Sequence, residues 1–167
     1  SFTNNILLSN LTRIRWLAII GQFIAIIFVF YYLNIKIPIS PCLLVILISV
    51  LINGYSYISN KADKYLSDKQ AFSFLIFDTI QLSILLFLTG GIYNPFSLLL
   101  IAPLIISASY LPIFYSICLL LLSLLSVIII SKFFISIQWN QLFEVPLYFA
   151  YGLTIALVIS LVFIFIY

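Results

Sequence analysis

Histidine and methionine are absent from the 167 residues of this sequence, and only 7% of the residues are charged. Histidine is the commonest protein ligand of metals such as zinc and the usual proton carrier near neutral pH, and both missing residues are common haem ligands. We therefore expect no metal site and no haem. The seven lysine and arginine residues are dispersed along the chain, so we also expect no binding of nucleic acid.

Apolar side chains are in excess. Hydrophobic residues make up 65% of the chain and the mean hydropathy is +1.33, far outside the range of soluble domains, which predicts an integral membrane protein in contact with lipid. Because the chain begins with Ser1 and contains no methionine, we expect it to be a piece of a longer protein. Cys42 and Cys118 are expected near opposite ends of different helices, so we interpret them as packing residues rather than disulfide partners.

Six apolar segments approach the roughly 20 residues that a helix needs to cross the hydrocarbon core. Lipid cannot satisfy exposed backbone groups, so each segment is expected to be helical. The sequence thus predicts an all-α membrane protein, a polytopic bundle of six transmembrane helices that forms one domain over residues 1–167. The predicted helices cover residues 14–33, 41–58, 71–88, 95–111, 113–134 and 146–167.

The fourth predicted helix differs from the others because its length, at 1.5 Å per residue, is only about 25 Å. Pro103 lies within it, removes one backbone hydrogen bond, and is expected to kink the helix. A re-entrant hairpin that does not cross the membrane is the alternative for this segment.

The basic residues predict the orientation, since lysine and arginine are enriched on the cytoplasmic side of membrane proteins. Five of them fall on one side of the six-helix topology and two on the other, which places both the N-terminus and the C-terminus in the cytoplasm. Arg13 and Arg15 are expected to precede the first helix. The remaining cytoplasmic residues are Lys61, Lys64 and Lys69, and the two on the outer side are Lys36 and Lys132.

The segment 89–96, between the third and fourth predicted helices, is rich in residues that form turns. Gly90 and Gly91 are expected to end the third helix, because glycine adopts left-handed backbone conformations at little cost. Asn94 is a favoured N-cap residue, and Pro95 suits the first position of the next helix.

This turn is expected to direct free backbone N–H groups and the amide of Asn94 toward a neighbouring molecule in the membrane, with the rings of Tyr93 and Phe96 beside them. A flat, apolar molecule with two ring carbonyls, such as a membrane quinone, would suit that arrangement. A well-capped turn without a ligand is the alternative, since these are ordinary turn residues.

Asp78 is the only acidic residue within a predicted span, which makes it a functional candidate. Gln22 and Asn53 lie at a similar depth in the first and second predicted helices, and Gln81 lies one turn further along the same face as Asp78. Two interpretations stay open, a relay of protons or signals and a polar cluster that holds the helices together.

The sequence GGIYNPF at residues 90–96 resembles the GGxxNPF heptapeptide of the RegB/PrrB/ActS family of redox-responsive sensor histidine kinases. Residues 77–112 and 13–22 resemble the same family's third and fourth membrane helices and the start of its first helix. The chain as a whole resembles the N-terminal transmembrane sensor domain of that family.

The resemblance implies that the turn binds a quinone, ubiquinone above all, and that oxidised quinone lowers kinase activity. Matched position by position, it assigns quinone binding to Gly90, Gly91, Asn94, Pro95 and Phe96. Tyr93 stands at a variable position of the heptapeptide. We keep it, with Asp78 and Gln81, as a secondary candidate.

The resembled kinases continue into a cytoplasmic region with a phosphoacceptor histidine, an ATP-binding domain and a redox-active cysteine, none of which is in this chain. We therefore expect the chain itself to have no catalytic residues, and its full-length parent to be a histidine protein kinase of a two-component system. The resemblance further implies a homodimer, a cognate response regulator and a multi-pass location in the bacterial inner (cytoplasmic) membrane. A small transporter or transporter subunit is the alternative, although no internal repeat is visible.

Overall fold

The computed structural model describes residues 8–59 and 66–137, together with the single helical positions 152, 155 and 159. No strand occurs in these residues. The α-helices in chain order are α1 (Leu8–Ile27), which continues as a π-helical turn at Phe28–Tyr32, α2 (Ile39–Ser59), α3 (Asp68–Leu88), α4 (Ile101–Tyr110) and α5 (Ile113–Lys132). Two short 3₁₀ helices, at Gly91–Tyr93 and Pro95–Leu100, lie between α3 and α4.

Four helices are long and apolar enough to cross a membrane, namely α1 with its π-helical turn, α2, α3 and α5. They correspond to the first, second, third and fifth predicted spans, so the prediction of an all-helical membrane protein is confirmed for these elements. The helix at Pro95–Tyr110 is apolar but shorter. The sixth predicted span lies outside the described residues apart from three helical positions, so six spans and cytoplasmic termini stay predictions.

The chain divides into two compact units, Ser1–Ala71 and Phe72–Tyr167. In the first unit α1 packs against α2, and the amide Nδ2 of Asn53 donates a hydrogen bond of 3.4 Å to the backbone carbonyl of Thr12. Thr12, Arg15 and Asn53 are all buried. The contact between the two helices therefore includes polar side chains.

The prediction that Arg13 and Arg15 precede the first helix is wrong, because α1 already begins at Leu8 and both residues lie within it. Hydropathy marks the residue at which the apolar run begins, whereas the backbone hydrogen bonding of α1 starts earlier. Arg13 is exposed and Arg15 is buried. The helix accommodates Arg15 because its side chain is buried within the protein.

The start of α3 also lies upstream of its predicted boundary. The hydroxyl of Ser67 accepts a hydrogen bond from the backbone N–H of Gln70, and the side-chain carbonyl of Gln70 accepts one from the backbone N–H of Ser67. This reciprocal pair is a capping box, which satisfies two N–H groups at a helix start. With this cap α3 begins at Asp68, in a polar part of the sequence that lies before the predicted span.

In the second unit α3 and α5 run parallel, because they meet at both ends. The rings of Phe72 and Tyr115 lie 4.8 Å apart near the start of the two helices. At the other end, the backbone N–H of Ile135, just beyond α5, donates a hydrogen bond of 2.8 Å to the carbonyl of Phe87. These contacts bring the residues after α5 to the same end of the unit as the turn after α3.

The segment Pro95–Tyr110 runs antiparallel to α5. Leu100 shares a buried cluster with Ile130 near the end of α5, while the hydroxyls of Ser107 and Ser116, near the start of α5, are 2.9 Å apart. The segment changes from 3₁₀ to α-helix at Ile101, two residues before Pro103, and the kink expected at Pro103 stays a prediction. A proline ring would clash with the carbonyl four residues earlier in a continuous α-helix, and the tighter 3₁₀ turns come in that region.

Candidate functional site

Two glycines end α3, as predicted. Gly90 has φ of 102° and Gly91 has φ of 64°, both in the left-handed region that costs other residues strain. The preceding residue, Thr89, continues the hydrogen bonding of the helix through its side chain, since its hydroxyl donates to the carbonyl of Leu85 at 2.6 Å. The chain then reverses through the 3₁₀ helix Gly91–Tyr93.

Asn94 caps the following helix, which confirms its predicted role as N-cap with Pro95 in the first helical turn. Its Oδ1 accepts a hydrogen bond of 2.9 Å from the backbone N–H of Phe96. Its Nδ2 donates to both the carbonyl and the hydroxyl oxygen of Thr89, at 2.9 and 2.8 Å. An amide nitrogen carries two hydrogens, so Asn94 ties the start of one helix to the end of the other.

The sequence predicts that the Asn94 amide is open to a ligand. That prediction is wrong for its N–H groups, because both of them bond to Thr89. The prediction of free backbone N–H groups also fails at the start of the helix, because the N–H of Phe96 bonds to the Asn94 side chain and the N–H of Ser97 bonds to the Asn94 carbonyl at 2.9 Å. The physical reason is that an efficient N-cap satisfies the groups that would otherwise polarise a ligand. What Asn94 retains is the second lone pair of Oδ1.

Gly91 allows the turn to pack closely against the end of α5. A Cβ atom at this position would lie 2.7 Å from the carbonyl oxygen of Ile130 and 2.7 Å from Cγ of Phe134. A Cβ atom at Gly90 would meet the side chain of Ile137 at 3.3 Å. The turn thus packs on the last turn of α5 and on residues 133–137, the non-helical segment that we call the α5 tail.

The two aromatic rings of the turn have different surroundings. Phe96 packs against a buried cluster formed by α3, the 3₁₀ helix and α5, whose members are Leu82, Leu86, Leu100 and Ile130. Tyr93 is 61% exposed, and its ring centroid lies 5.7 Å from that of Phe134 with the ring planes inclined at 59°. Tyr93 and Phe134 therefore form the accessible aromatic pair beside the turn.

Phe134 is the residue that sequence reasoning missed. Nothing in its local sequence distinguishes it from the other apolar residues at the end of the fifth span. The available signal was topological, because in the predicted six-helix topology two crossings separate the end of the third span from the end of the fifth and return both to one side of the membrane.

Asp78 and Gln81 lie away from the turn. At 1.5 Å per residue, Asp78 is about 15 Å and Gln81 about 10 Å from the end of α3 at Leu88. Asp78 is half-buried, Gln81 is buried, and both take part in polar or other side-chain interactions. The structure does not bring them to the turn. Asn53 bonds to Thr12 and Asp78 belongs to the other unit, so the meeting of these residues with Gln22 stays a prediction.

Several hydroxyls on the helices bond to their own backbone one turn earlier, as is usual in membrane helices. Ser49, Thr79 and Ser83 donate to the carbonyls of residues 45, 75 and 79. Cys42 and Cys118 carry free thiols. Among the described residues, no three acidic or cysteine side chains are grouped as a metal site would require.

The sequence as a whole is similar to known sensor kinases. It is 33% identical over 162 residues to the sensor histidine kinase RegB of Cereibacter sphaeroides, an alignment that covers 96% of this chain and 35% of RegB. It is 34% identical over 76 residues, or 46% of the chain, to 16% of a second RegB sequence from a named strain of the same species.

The chain therefore spans about a third of the length of the first of these relatives. No family model matches the chain. No solved structure matches it either. The alignment with RegB nevertheless extends over nearly all of the chain, including its four long apolar helices. We conclude that this chain belongs to the RegB family of sensor histidine kinases, as a membrane sensor domain.

Proposed function

We propose that this domain binds a quinone near the Gly90–Phe96 turn and transmits the redox state of the quinone pool to a histidine kinase region of the same protein. Ubiquinone is the quinone that the family resemblance favours. In this proposal the full-length parent is a homodimeric, multi-pass protein of the bacterial inner membrane that phosphorylates a cognate response regulator.

The observation that carries the proposal is the construction of the turn. Three hydrogen bonds of the Asn94 side chain join the end of α3 to the start of the next helix, and Gly91 seats the turn on α5. A ligand that binds such an element meets a preorganised surface, which lowers the entropic cost of binding.

The chemistry of the accessible surface supports an apolar, planar ligand. Ile92 and Tyr93 are exposed, and the Tyr93 ring offers both an aromatic face and a hydroxyl. Aromatic faces favour offset or tilted contacts with other rings. A quinone dissolved in the bilayer reaches such a surface from the lipid, and its ring carbonyls can accept a hydrogen bond from a phenolic hydroxyl.

The test is equilibrium binding of a short-chain ubiquinone to the purified chain in lipid nanodiscs, with empty nanodiscs as the control for partitioning. We expect saturable binding to the protein-containing discs beyond the linear uptake of the empty ones. Linear uptake that is equal in both preparations would contradict the proposal.

A further inference from the structure

We propose that Tyr93 and Phe134 together form the surface that contacts the quinone ring, so that one residue of the α5 tail, Phe134, is part of the binding site. This inference rests on the proposed function and specifies which side chains meet the ligand. It assigns ring contact to a residue outside the glycine-rich turn and gives the five turn residues Gly90, Gly91, Asn94, Pro95 and Phe96 a supporting role.

Those five residues are largely engaged in contacts within the protein. Gly90, Gly91 and Pro95 are buried. The amide hydrogens of Asn94 are donated to Thr89, and Phe96 packs on the cluster near the end of α5. Asn94 and Phe96 are half-buried, so the most exposed side chains of the turn are Ile92 and Tyr93, which are 36% and 61% exposed.

Two independent contacts hold Phe134 beside Tyr93. Its Cβ and Cγ atoms lie against Gly91, at a distance that leaves no room for a side chain there. The next residue, Ile135, is fixed to the end of α3 by the hydrogen bond from its N–H to the carbonyl of Phe87. The position of the Phe134 ring is thus determined by the turn and by α3 together.

The rings of Tyr93 and Phe134 form a tilted aromatic pair. A centroid separation of 5.7 Å and an inclination of 59° are within the range of favourable tilted aromatic pairs. Because most of the Tyr93 side chain is exposed, a ligand ring can reach it on the side of the pair that faces away from the turn's buried cluster. A planar ligand of quinone size gains contact with both rings without disturbing the hydrogen bonds of Asn94.

This arrangement also gives the bound ligand a mechanical connection to the rest of the protein. Phe134 belongs to the segment that follows α5, so a ligand that contacts its ring contacts the part of the chain that continues beyond Ile137. The same ligand in contact with Asn94 or Phe96 alone would act on residues that are fixed inside the turn.

The experiment places a fluorescent reporter in the pair and then removes the other ring. Tyr93→Trp, in a background with Trp16→Phe and Trp139→Phe, gives one indole at the turn, whose emission a quinone in contact with it quenches. The reporter protein is titrated with short-chain ubiquinone in nanodiscs, with and without Phe134→Leu. We expect saturable quenching, and a dissociation constant raised about fivefold by Phe134→Leu, as the loss of one aromatic contact predicts.

Two further variants separate ring contact from loss of structure. Phe134→Tyr keeps a ring at the position and should bind with an affinity within about twofold of the reporter protein. Phe133→Leu is the matched control, since it makes the same change at the adjacent residue, which is 65% exposed, and it should leave the dissociation constant unchanged.

Saturable quenching with equal affinity in the reporter protein and in Phe134→Leu would overturn the inference and leave the proposed function standing. A dissociation constant raised equally by Phe134→Leu and Phe133→Leu would also overturn it, because the effect would not be specific to the ring beside Gly91. Absence of saturable binding to the unsubstituted protein in the nanodisc assay would instead refute the proposed function itself.

Discussion

Replacing Gly91 with alanine tests the seating of the turn on α5. Alanine at φ of 64° costs about 1 to 2 kcal/mol relative to a right-handed conformation. The new Cβ would also lie 2.7 Å from the carbonyl oxygen of Ile130 and 2.7 Å from Cγ of Phe134. The first of these atoms belongs to the backbone of a helix, so the turn must shift, at a typical overpacking cost of about 1 to 3 kcal/mol.

The expected loss is therefore about 2 to 5 kcal/mol in the free energy of unfolding. Reversible unfolding in mixed detergent micelles, followed by circular dichroism, measures this quantity. Gly54→Ala is the matched control, because Gly54 lies within α2 and a Cβ there would meet nothing within 4 Å. That variant should be as stable as the unsubstituted protein or more stable by up to about 1 kcal/mol. Equal stability of Gly91→Ala and the unsubstituted protein would refute the close approach of the turn to α5.

Three further predictions concern the cap, the half-buried Asp78 and the topology. Asn94→Ala should lower the free energy of unfolding by about 1 to 2 kcal/mol, because the cap and the bonds to Thr89 are lost. The same unfolding assay measures this change. Stability equal to that of the unsubstituted protein would contradict the capping role of Asn94. If Asp78 holds helices together, the Asp78→Asn variant should be as stable as the unsubstituted protein or more stable. Its quinone affinity should also depend on pH in the same way as that of the unsubstituted protein. Loss of this pH dependence in the variant would make Asp78 part of the sensing chemistry. Reporter fusions after Leu88 and after Pro112 should report opposite sides of the membrane, and the same side in both would show that the fourth helix does not cross.

The structure explains which parts of the fold hydropathy could predict. Apolar runs locate the centres of α2, α3 and α5 because lipid exposure requires them to be both helical and apolar. The beginnings of α1 and α3 were not predictable in this way, since local hydrogen bonds and packing against a neighbouring helix determine them. Ser67 and Gln70 form the cap of α3 in polar sequence, and Arg15 is buried within α1.

Sequence likewise predicts some features of the candidate site and not others. The left-handed glycines and the N-cap role of Asn94 follow from local backbone preferences, which sequence carries directly. The partner of the Asn94 amide and the ring beside Tyr93 depend on tertiary contacts. Thr89 is five residues from Asn94, whereas Phe134 is brought to the turn only because α5 returns to the end of α3.

The hydrogen bonds within the turn limit which groups could distinguish a bound quinone from a bound quinol. A site with open N–H groups would distinguish quinone from quinol by hydrogen bonding at the helix start. Here those groups at Phe96 and Ser97 are already bonded, so we expect discrimination to depend on the exposed rings and on the Tyr93 hydroxyl. Tyr93→Phe keeps the ring and removes the hydroxyl, which makes it the variant that separates these contributions.

The most direct test of redox sensing uses the full-length parent kinase in nanodiscs. Its autophosphorylation is measured with short-chain ubiquinone held either oxidised or reduced, in the unsubstituted protein and in Phe134→Leu, with Phe133→Leu as the control. We expect lower activity with oxidised quinone in the unsubstituted protein and the control, and a weakened response in Phe134→Leu. Equal activity with oxidised and reduced quinone in the unsubstituted protein would contradict redox sensing by this domain.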